Sequence, residues 1–214
     1  MINNKGFFIT GTDTGVGKTF FSSLLMMKYN FDYWKPIQTG KFIENDTLYI
    51  KKYIDLKNNR LHKPIYLFKK PLSPHLAAGY EKIPINMEKI KIPSSNKPLI
   101  IEGVGGILVP LNKKSLIIDL IKKFKLPVIV ISKSILGTIN HTLMTLEILK
   151  KNKIKIFGVV LNNIKNKKEG NDNAASIESF GNTKVLAQIS SINNINKKKI
   201  EILSKKKFMS VFKI

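Results

Sequence analysis

The run Gly11-Thr12-Asp13-Thr14-Gly15-Val16-Gly17-Lys18-Thr19 constrains this chain more than any other stretch. Before it lies Phe7-Phe8-Ile9-Thr10, an apolar run rich in aromatic and β-branched residues that predicts a buried strand. After it, Phe20 to Met27 predicts a helix with a broad apolar face. A strand, a glycine-bearing turn ending in Gly-Lys-Thr and a helix together give the context of a phosphate-binding loop. The turn directs backbone N–H groups inward, and the helix start adds a field that favours an anion. In such a loop Lys18 reaches the β- and γ-phosphates and the Thr19 hydroxyl sits on Mg²⁺. The generic spacing asks for a glycine five positions before Gly17, which is Thr12; the glycine present, Gly11, comes one residue earlier. A glycine-rich turn without a nucleotide is the alternative. It does not explain why strand, Gly-Lys-Thr and helix fall in register.

The 214 residues suit one α/β domain, 1–214, large enough to bury a substantial core. No segment reaches the ~20 apolar residues of a membrane span. Met1 to Lys5 runs straight into the first strand, which leaves no room for a leader. Cysteine is absent, so disulfide and thiolate chemistry are excluded, in keeping with a cytoplasmic location. The formal charge of +23 raises nucleic acid or an anionic membrane as a partner. Against that, Arg60 is the only arginine, and readers of bases and phosphates lean on arginine's bidentate fork. The lysine runs at 165–168, 197–199 and 205–207 are expected to be solvated faces, with a positive field drawing in ATP and acidic substrates.

Further along, Tyr33 to Ile37 predicts a strand ending in a loop at Gln38-Thr39-Gly40, and Asn45-Asp46 opens a helix through Tyr53. Pro64 to Phe68 suggests a short strand, and Ser73-Pro74-His75 starts a short helix to about Tyr80. Strands are expected at Pro98–Glu102, Leu126–Ile131, Lys155–Leu161 and Val185–Ile189. Helices are expected at Thr138–Lys150, weakly at Ala174–Phe180, and at the lysine-studded end. Continuous apolar strands alternating with helices imply a mostly parallel sheet covered on both faces, an α/β fold of P-loop NTPase type. Ligands in such folds sit at the carboxyl ends of strands, where Thr14, Lys35, Glu102 and Asn162 fall.

Glu102 closes an apolar strand and is followed by Gly103-Val104-Gly105-Gly106, the place of an acid that holds Mg²⁺; alternatively it faces solvent. Asp46 is either a second carboxylate for the metal or a helix N-cap. Lys35 is either a second positive charge for the γ-phosphate or one more lysine, and Thr39 either a hydroxyl donor or loop filler. His62, His75 and His141 lack metal-ligand spacing. No nucleophile–base pair stands out, so chemistry would come from positioning and electrostatics.

Taken in order, the loop, Lys35-Pro36 with Thr39-Gly40, Ser73-Pro74-His75, Glu102-Gly103-x-Gly105-Gly106 and Gly137-x-Ile139-Asn140-His141 resemble dethiobiotin synthetase over about residues 6–190. The offset glycine is that family's own form. The resemblance implies a cyclo-ligase that builds the ureido ring of dethiobiotin from 7,8-diaminononanoate, CO₂ and ATP, and a homodimer with active sites near the subunit interface. A carbamate forms first, its oxygen attacks the γ-phosphate, and the second amine closes the ring. The substrate thus supplies the nucleophile. Carried over by position, Thr19, Asp46 and Glu102 resemble the Mg²⁺ shell. Thr14, Gly15, Val16, Gly17 and Lys18 resemble the phosphate cradle. Lys18 and Lys35, with Thr14, match the charge-balancing catalytic positions, and Thr39 a hydroxyl beside the substrate. Gly103 and Gly105 belong to the nucleotide site. Asn162, with Asn163 beside it, resembles the adenine-recognising position. Gly137, Thr138 and Asn140 match the start of a helix that binds the substrate carboxylate across the dimer. Departures are Gly15 in place of an acid, no tyrosine at 172–178 for the substrate tail, and Ser190 where a proline often follows the last strand. Septum-site and plasmid-partition ATPases share the loop type, but their signature lysine would fall at Asp13. A cobyrinate-type amide ligase needs a catalytic cysteine that is absent. A basic nucleic-acid-binding module is the remaining alternative, and it has no need of Glu102.

Overall fold

A computed structural model describes residues 6–40, 45–54 and 60–213. The run Met1 to Lys5, expected to lead directly into the first strand, lies outside the described residues. The first strand, β1 (Gly6–Gly11), is fully buried and leads through the glycine loop into α1 (Lys18–Lys28). There follow β2 (Asp32–Trp34), β3 (Ile37–Thr39), α2 (Asp46–Tyr53), β4 (Leu61–His62), β5 (Tyr66–Phe68) and α3 (Pro74–Tyr80). The second half contains β6 (Leu99–Glu102), α4 (Ile117–Phe124), β7 (Val128–Lys133), α5 (Thr138–Lys151), β8 (Ile156–Ile164), α6 (Lys167–Gly181), β9 (Val185–Ser190) and α7 (Lys197–Ser204). Among the described residues, seven strands form one sheet in the order β4-β2-β6-β1-β7-β8-β9, with every pair parallel.

Strand alternation sorts the side chains into two cores. Phe8, Trp34, Leu99, Ile101, Val128 and Val130 pack with residues of α3 to α6. Phe7, Ile9, Tyr33, Ile100, Ile129 and Ile131 pack with α1, α2 and the C-terminal helices. The same alternation decides the site. Glu102, two residues past Ile100, faces α1, and so does Lys35, two past Tyr33.

Two expectations need correction, and one helix was not expected. Gln38-Thr39-Gly40 was expected to be a loop, yet Ile37–Thr39 is strand β3, paired in parallel with β5 in a small second sheet. Pro36 cannot donate to the main ladder, and its carbonyl instead accepts from the N–H groups of Ile65 (2.8 Å) and Tyr66 (3.1 Å), handing the chain over to β5. Helix α6 starts at Lys167 rather than Ala174. Asn166 caps it by accepting from the N–H of Lys168 (2.9 Å) and Glu169 (3.3 Å), and Gly170 sits so close to Ile164 that a Cβ there would lie 2.7 Å from Cγ2. Helix α4 was not expected, although Ile117, Ile118, Leu120, Ile121 and Phe124 are spaced for one buried face.

Candidate active site

The loop between β1 and α1 is built around the first residue of α1, Lys18. Lys18 is buried, and its Nζ donates to the Asp13 carbonyl at 2.9 Å, inside the curl of the loop. Gly11 closes that curl from below: a Cβ there would lie 2.7 Å from Val16 Cγ2, 2.8 Å from the Asp13 carbonyl oxygen and 3.0 Å from Lys18 Nζ. The early glycine is therefore a packing requirement of this loop, whereas Thr12 keeps a side chain whose hydroxyl lies 3.3 Å from Ser132 Oγ. Gly17, at φ 99°, is the N-cap of α1; that helix has no side-chain cap and no acidic residue in its first turn. Its positive end is left for something other than the chain itself.

The register of the sheet brings the acid and the second lysine alongside. Ile9 is paired with Glu102, and Trp34 with Ile101, so Lys35 and Glu102 leave neighbouring strands side by side. Glu102 is 1% exposed. Its Oε1 accepts from the Thr19 hydroxyl at 2.8 Å and lies 3.5 Å from Lys35 Nζ. Its Oε2 accepts from Ser22 at 2.8 Å and from Tyr33 at 3.1 Å. Asp46 enters from α2: Oδ1 lies 2.9 Å from Thr19 Oγ1, and Oδ2 is paired with Lys35 Nζ. Asn45, not Asp46, caps α2, by accepting from the Leu48 N–H at 2.9 Å, which leaves the carboxylate free to turn into the site.

Two buried lysines and the buried Glu102 thus lie close to the half-buried Asp46. Burial drives the Lys18 pKa down to about 8, with the Lys35 charge adding to the effect and Glu102, Asp46 and Asp13 opposing it. Burial also works against the charge on Lys35, but the adjacent Glu102 and Asp46 outweigh it and raise its pKa. Asp46 is the converse, with Lys35 and the Thr19 hydroxyl overcoming burial and holding it ionised. Thr19 has one proton for two carboxylate oxygens. Thr19 Oγ1, Asp46 Oδ1 and Glu102 Oε1 therefore converge around that proton, the hard all-oxygen donor set that suits Mg²⁺ beside a phosphate.

Other expected positions gather around the same loop. Thr14 and Gly15 lie exposed on the loop, Val16 is buried beneath it, and the Thr14 N–H donates to Asp13 Oδ1 at 2.6 Å. Gly105 packs near Thr14, and the Gly103 N–H donates to the Ile9 carbonyl at 2.9 Å. Asn162 donates from Nδ2 to the Val16 carbonyl at 2.9 Å, tying the end of β8 to the loop; Asn163, next to it, adopts φ 60°. Thr39 is half-buried at the end of β3. At the start of α5, Gly137 is the N-cap, while Thr138 is engaged internally, through its hydroxyl with Ser132 (2.8 Å) and its N–H with the Ile135 carbonyl (3.0 Å). The first bond of that helix is His141 N–H to Gly137 O, which leaves the Ile139 and Asn140 N–H groups ahead of the ladder. Sequence reasoning missed Ser22 and Tyr33. Ser22 stands three residues after Thr19 on the same helix face, a legible spacing, whereas Tyr33 reaches Glu102 only through sheet order.

A family model described as an AAA domain matches residues 5–199. ATP-dependent dethiobiotin synthetase BioD of Lawsonia intracellularis is 46% identical over 191 residues, covering 89% of this chain and 90% of that protein. The protein of the same name from Paramagnetospirillum magneticum is 44% identical over 185 residues, covering 86% and 87%. The chain belongs to the dethiobiotin synthetase family. A longer relative matches as well: the biotin biosynthesis bifunctional protein BioCD of Bordetella avium is 42% identical over 202 residues, 94% of this chain, and the chain spans 43% of its length. The ParA family ATPase of Chlorobium tepidum superposes with a TM-score of 0.57 at 15% identity, covering 98% of this chain and 92% of that one. That likeness concerns the fold alone, an α/β architecture built on a parallel sheet.

Proposed function

We propose that the cluster of Lys18, Thr19, Lys35, Asp46 and Glu102 transfers the γ-phosphoryl group of ATP to a carbamate of a diamine. The chain is an ATP-dependent dethiobiotin synthetase, a cyclo-ligase of biotin biosynthesis. One amine of 7,8-diaminononanoate combines with CO₂ to give a carbamate and a proton. A carbamate oxygen attacks the γ-phosphorus and ADP leaves. The second amine then attacks the carbonyl carbon of the mixed anhydride, phosphate departs and the ureido ring is closed. The enzyme needs no nucleophile of its own, so its contribution is alignment and charge.

The observation that carries this reading is Lys35 held between the buried Glu102 and Asp46, both of which also take the Thr19 hydroxyl, at the carboxyl ends of β2 and β6 beside the loop that encloses Lys18. In it, Lys18 exchanges the Asp13 carbonyl for the β- and γ-phosphates, and the N–H groups of Gly15 to Thr19 cradle those oxygens, with Thr14 at the rim. Lys35 balances charge on the carbamate and γ-phosphate, and Thr39 supplies a hydroxyl beside the substrate. Gly103 and Gly105 shape the nucleotide side, and Asn162 and Asn163 the adenine side. Thr19, Asp46 and Glu102 would hold Mg²⁺, which would neutralise phosphate charge when bound. The N–H groups that α5 leaves ahead of its ladder, those of Ile139 and Asn140 beside Gly137 and Thr138, suit the substrate carboxylate.

We further propose a homodimer of single-domain subunits working in the cytoplasm. Leu108 and Met144, about half exposed, border one cleft of about 450 Å³, and Leu136 at the approach to α5 is fully exposed, an apolar surface that a second copy would cover. No nucleic acid or membrane enters this reading. Lys165, Lys167, Lys168, Lys197, Lys198 and Lys205 to Lys207 are exposed around the rim of the fold, and no described helix is long and apolar enough to cross a membrane. The test is to supply ATP, Mg²⁺, bicarbonate and 7,8-diaminononanoate and measure phosphate and dethiobiotin together. Phosphate release should require both the diamine and bicarbonate, whereas release indifferent to the diamine would refute the assignment.

A further inference from the structure

We infer that Tyr33 is a positioning residue for Glu102, fixing the rotation of the carboxylate so that Oε1 alone is presented to the metal and phosphate side. The inference rests on the reading of Glu102 as a metal-holding acid. Four donors surround this carboxylate, two on each oxygen, but they differ in what they can commit. Ser22 has a single proton, and its Oγ is within reach both of Glu102 Oε2 (2.8 Å) and of the Lys18 carbonyl (3.0 Å). Its donation to Glu102 is therefore shared with the backbone of α1. Tyr33 has one acceptor among the described residues, Glu102 Oε2 at 3.1 Å. Its ring is fully buried between the sheet and α1, so the phenol has no second orientation. The phenol bonds the carboxylate oxygen that Thr19 does not.

The geometry gives the pair a division of labour. Oε2 is pinned by hydroxyls from β2 and α1, and Oε1 is left with Thr19 and Lys35, the contacts that change when a cation and a triphosphate enter. Without Tyr33 the carboxylate keeps a shared serine proton on Oε2 and can rotate about its last torsion, so the oxygen offered to the cation is no longer fixed.

Tyr33→Phe removes only the hydroxyl and keeps the buried ring. The half-saturating Mg²⁺ concentration should rise about tenfold, the scale of one hydrogen bond to a charged group, while the KM for the diamine stays unchanged and excess Mg²⁺ restores kcat. Ser22→Ala should shift it less, and Mn²⁺ titration with ADP present should show the same order without turnover. A Tyr33→Phe enzyme whose metal titration stays within twofold of the parent would overturn the inference. So would a loss of kcat that no Mg²⁺ concentration restores, since that marks a purely structural tyrosine. Glu102→Gln separates the two readings: if it shifts the metal titration and Tyr33→Phe does not, the tyrosine inference alone fails; if neither shifts it, both fail.

Discussion

Replacing Gly11 by alanine tests whether the early glycine is a packing requirement of the phosphate loop. The added methyl carbon would stand 2.7 Å from Val16 Cγ2, 2.8 Å from the Asp13 carbonyl oxygen and 3.0 Å from Lys18 Nζ. Lys18 can withdraw at little cost because its end is flexible. Val16 is buried and the Asp13 oxygen belongs to the backbone, so neither can give way without moving the loop. Overpacking of this kind costs about 1–3 kcal/mol. Because the cost falls on the segment whose N–H groups must converge, it should appear in nucleotide affinity as about a tenfold to hundredfold rise in Kd for Mg·ATP. Isothermal titration of the purified variant measures this, with a thermal melt confirming that the rest of the fold persists. Gly15→Ala is the matched comparison: nothing lies within 4 Å of its added carbon, and the cost is only that of its φ of +65°, about 1–2 kcal/mol. Gly11→Ala binding Mg·ATP within twofold of the parent would refute the packing argument, and with it the explanation of the offset glycine.

ATP affinity should fall as pH rises through about 8. Below that pH Lys18 is charged in both free and bound protein; above it the free protein has lost the proton that the triphosphate then recaptures. Kd at pH 9 should be about tenfold weaker than at pH 7, with about one proton taken up on binding. Calorimetry in buffers of different ionisation enthalpy detects the uptake, and Lys18→Met should abolish it. A pH-independent Kd over that range would contradict the burial of this lysine. In the core, Phe8→Ala removes a fully buried ring that packs 6.5 Å, centroid to centroid, from Phe124. Urea denaturation should show about 3–5 kcal/mol lost, and a loss under 1 kcal/mol would place Phe8 outside the core.

Much of this protein is local enough to read along the chain. The phosphate loop announces itself through residue type and order, and so does the strand ending in Glu102, because an apolar run must be buried and an acid after it must stop at an edge. Helix α2 was legible from Asn45-Asp46, though only the structure shows Asn45 as the cap and Asp46 as the residue turned inward. The first half of α6 escaped because Gly170, Asn171, Asp172 and Asn173 favour no helix individually; the cap at Asn166 and the close approach of Gly170 to Ile164 hold it. β3 escaped because its partner, β5, is remote in sequence.

The sequence by itself determined that a triphosphate loop begins this chain and that an acid and further lysines follow at strand ends. It could do so because strand periodicity and turn chemistry act between near neighbours. Only the tertiary structure decided that Lys35, Thr19, Ser22 and Tyr33 all meet Glu102, with Asp46 joined to it through Thr19 and Lys35. Those contacts depend on β2, β6 and β1 lying side by side and on which face each residue takes, and sheet order is not written in any single stretch of residues.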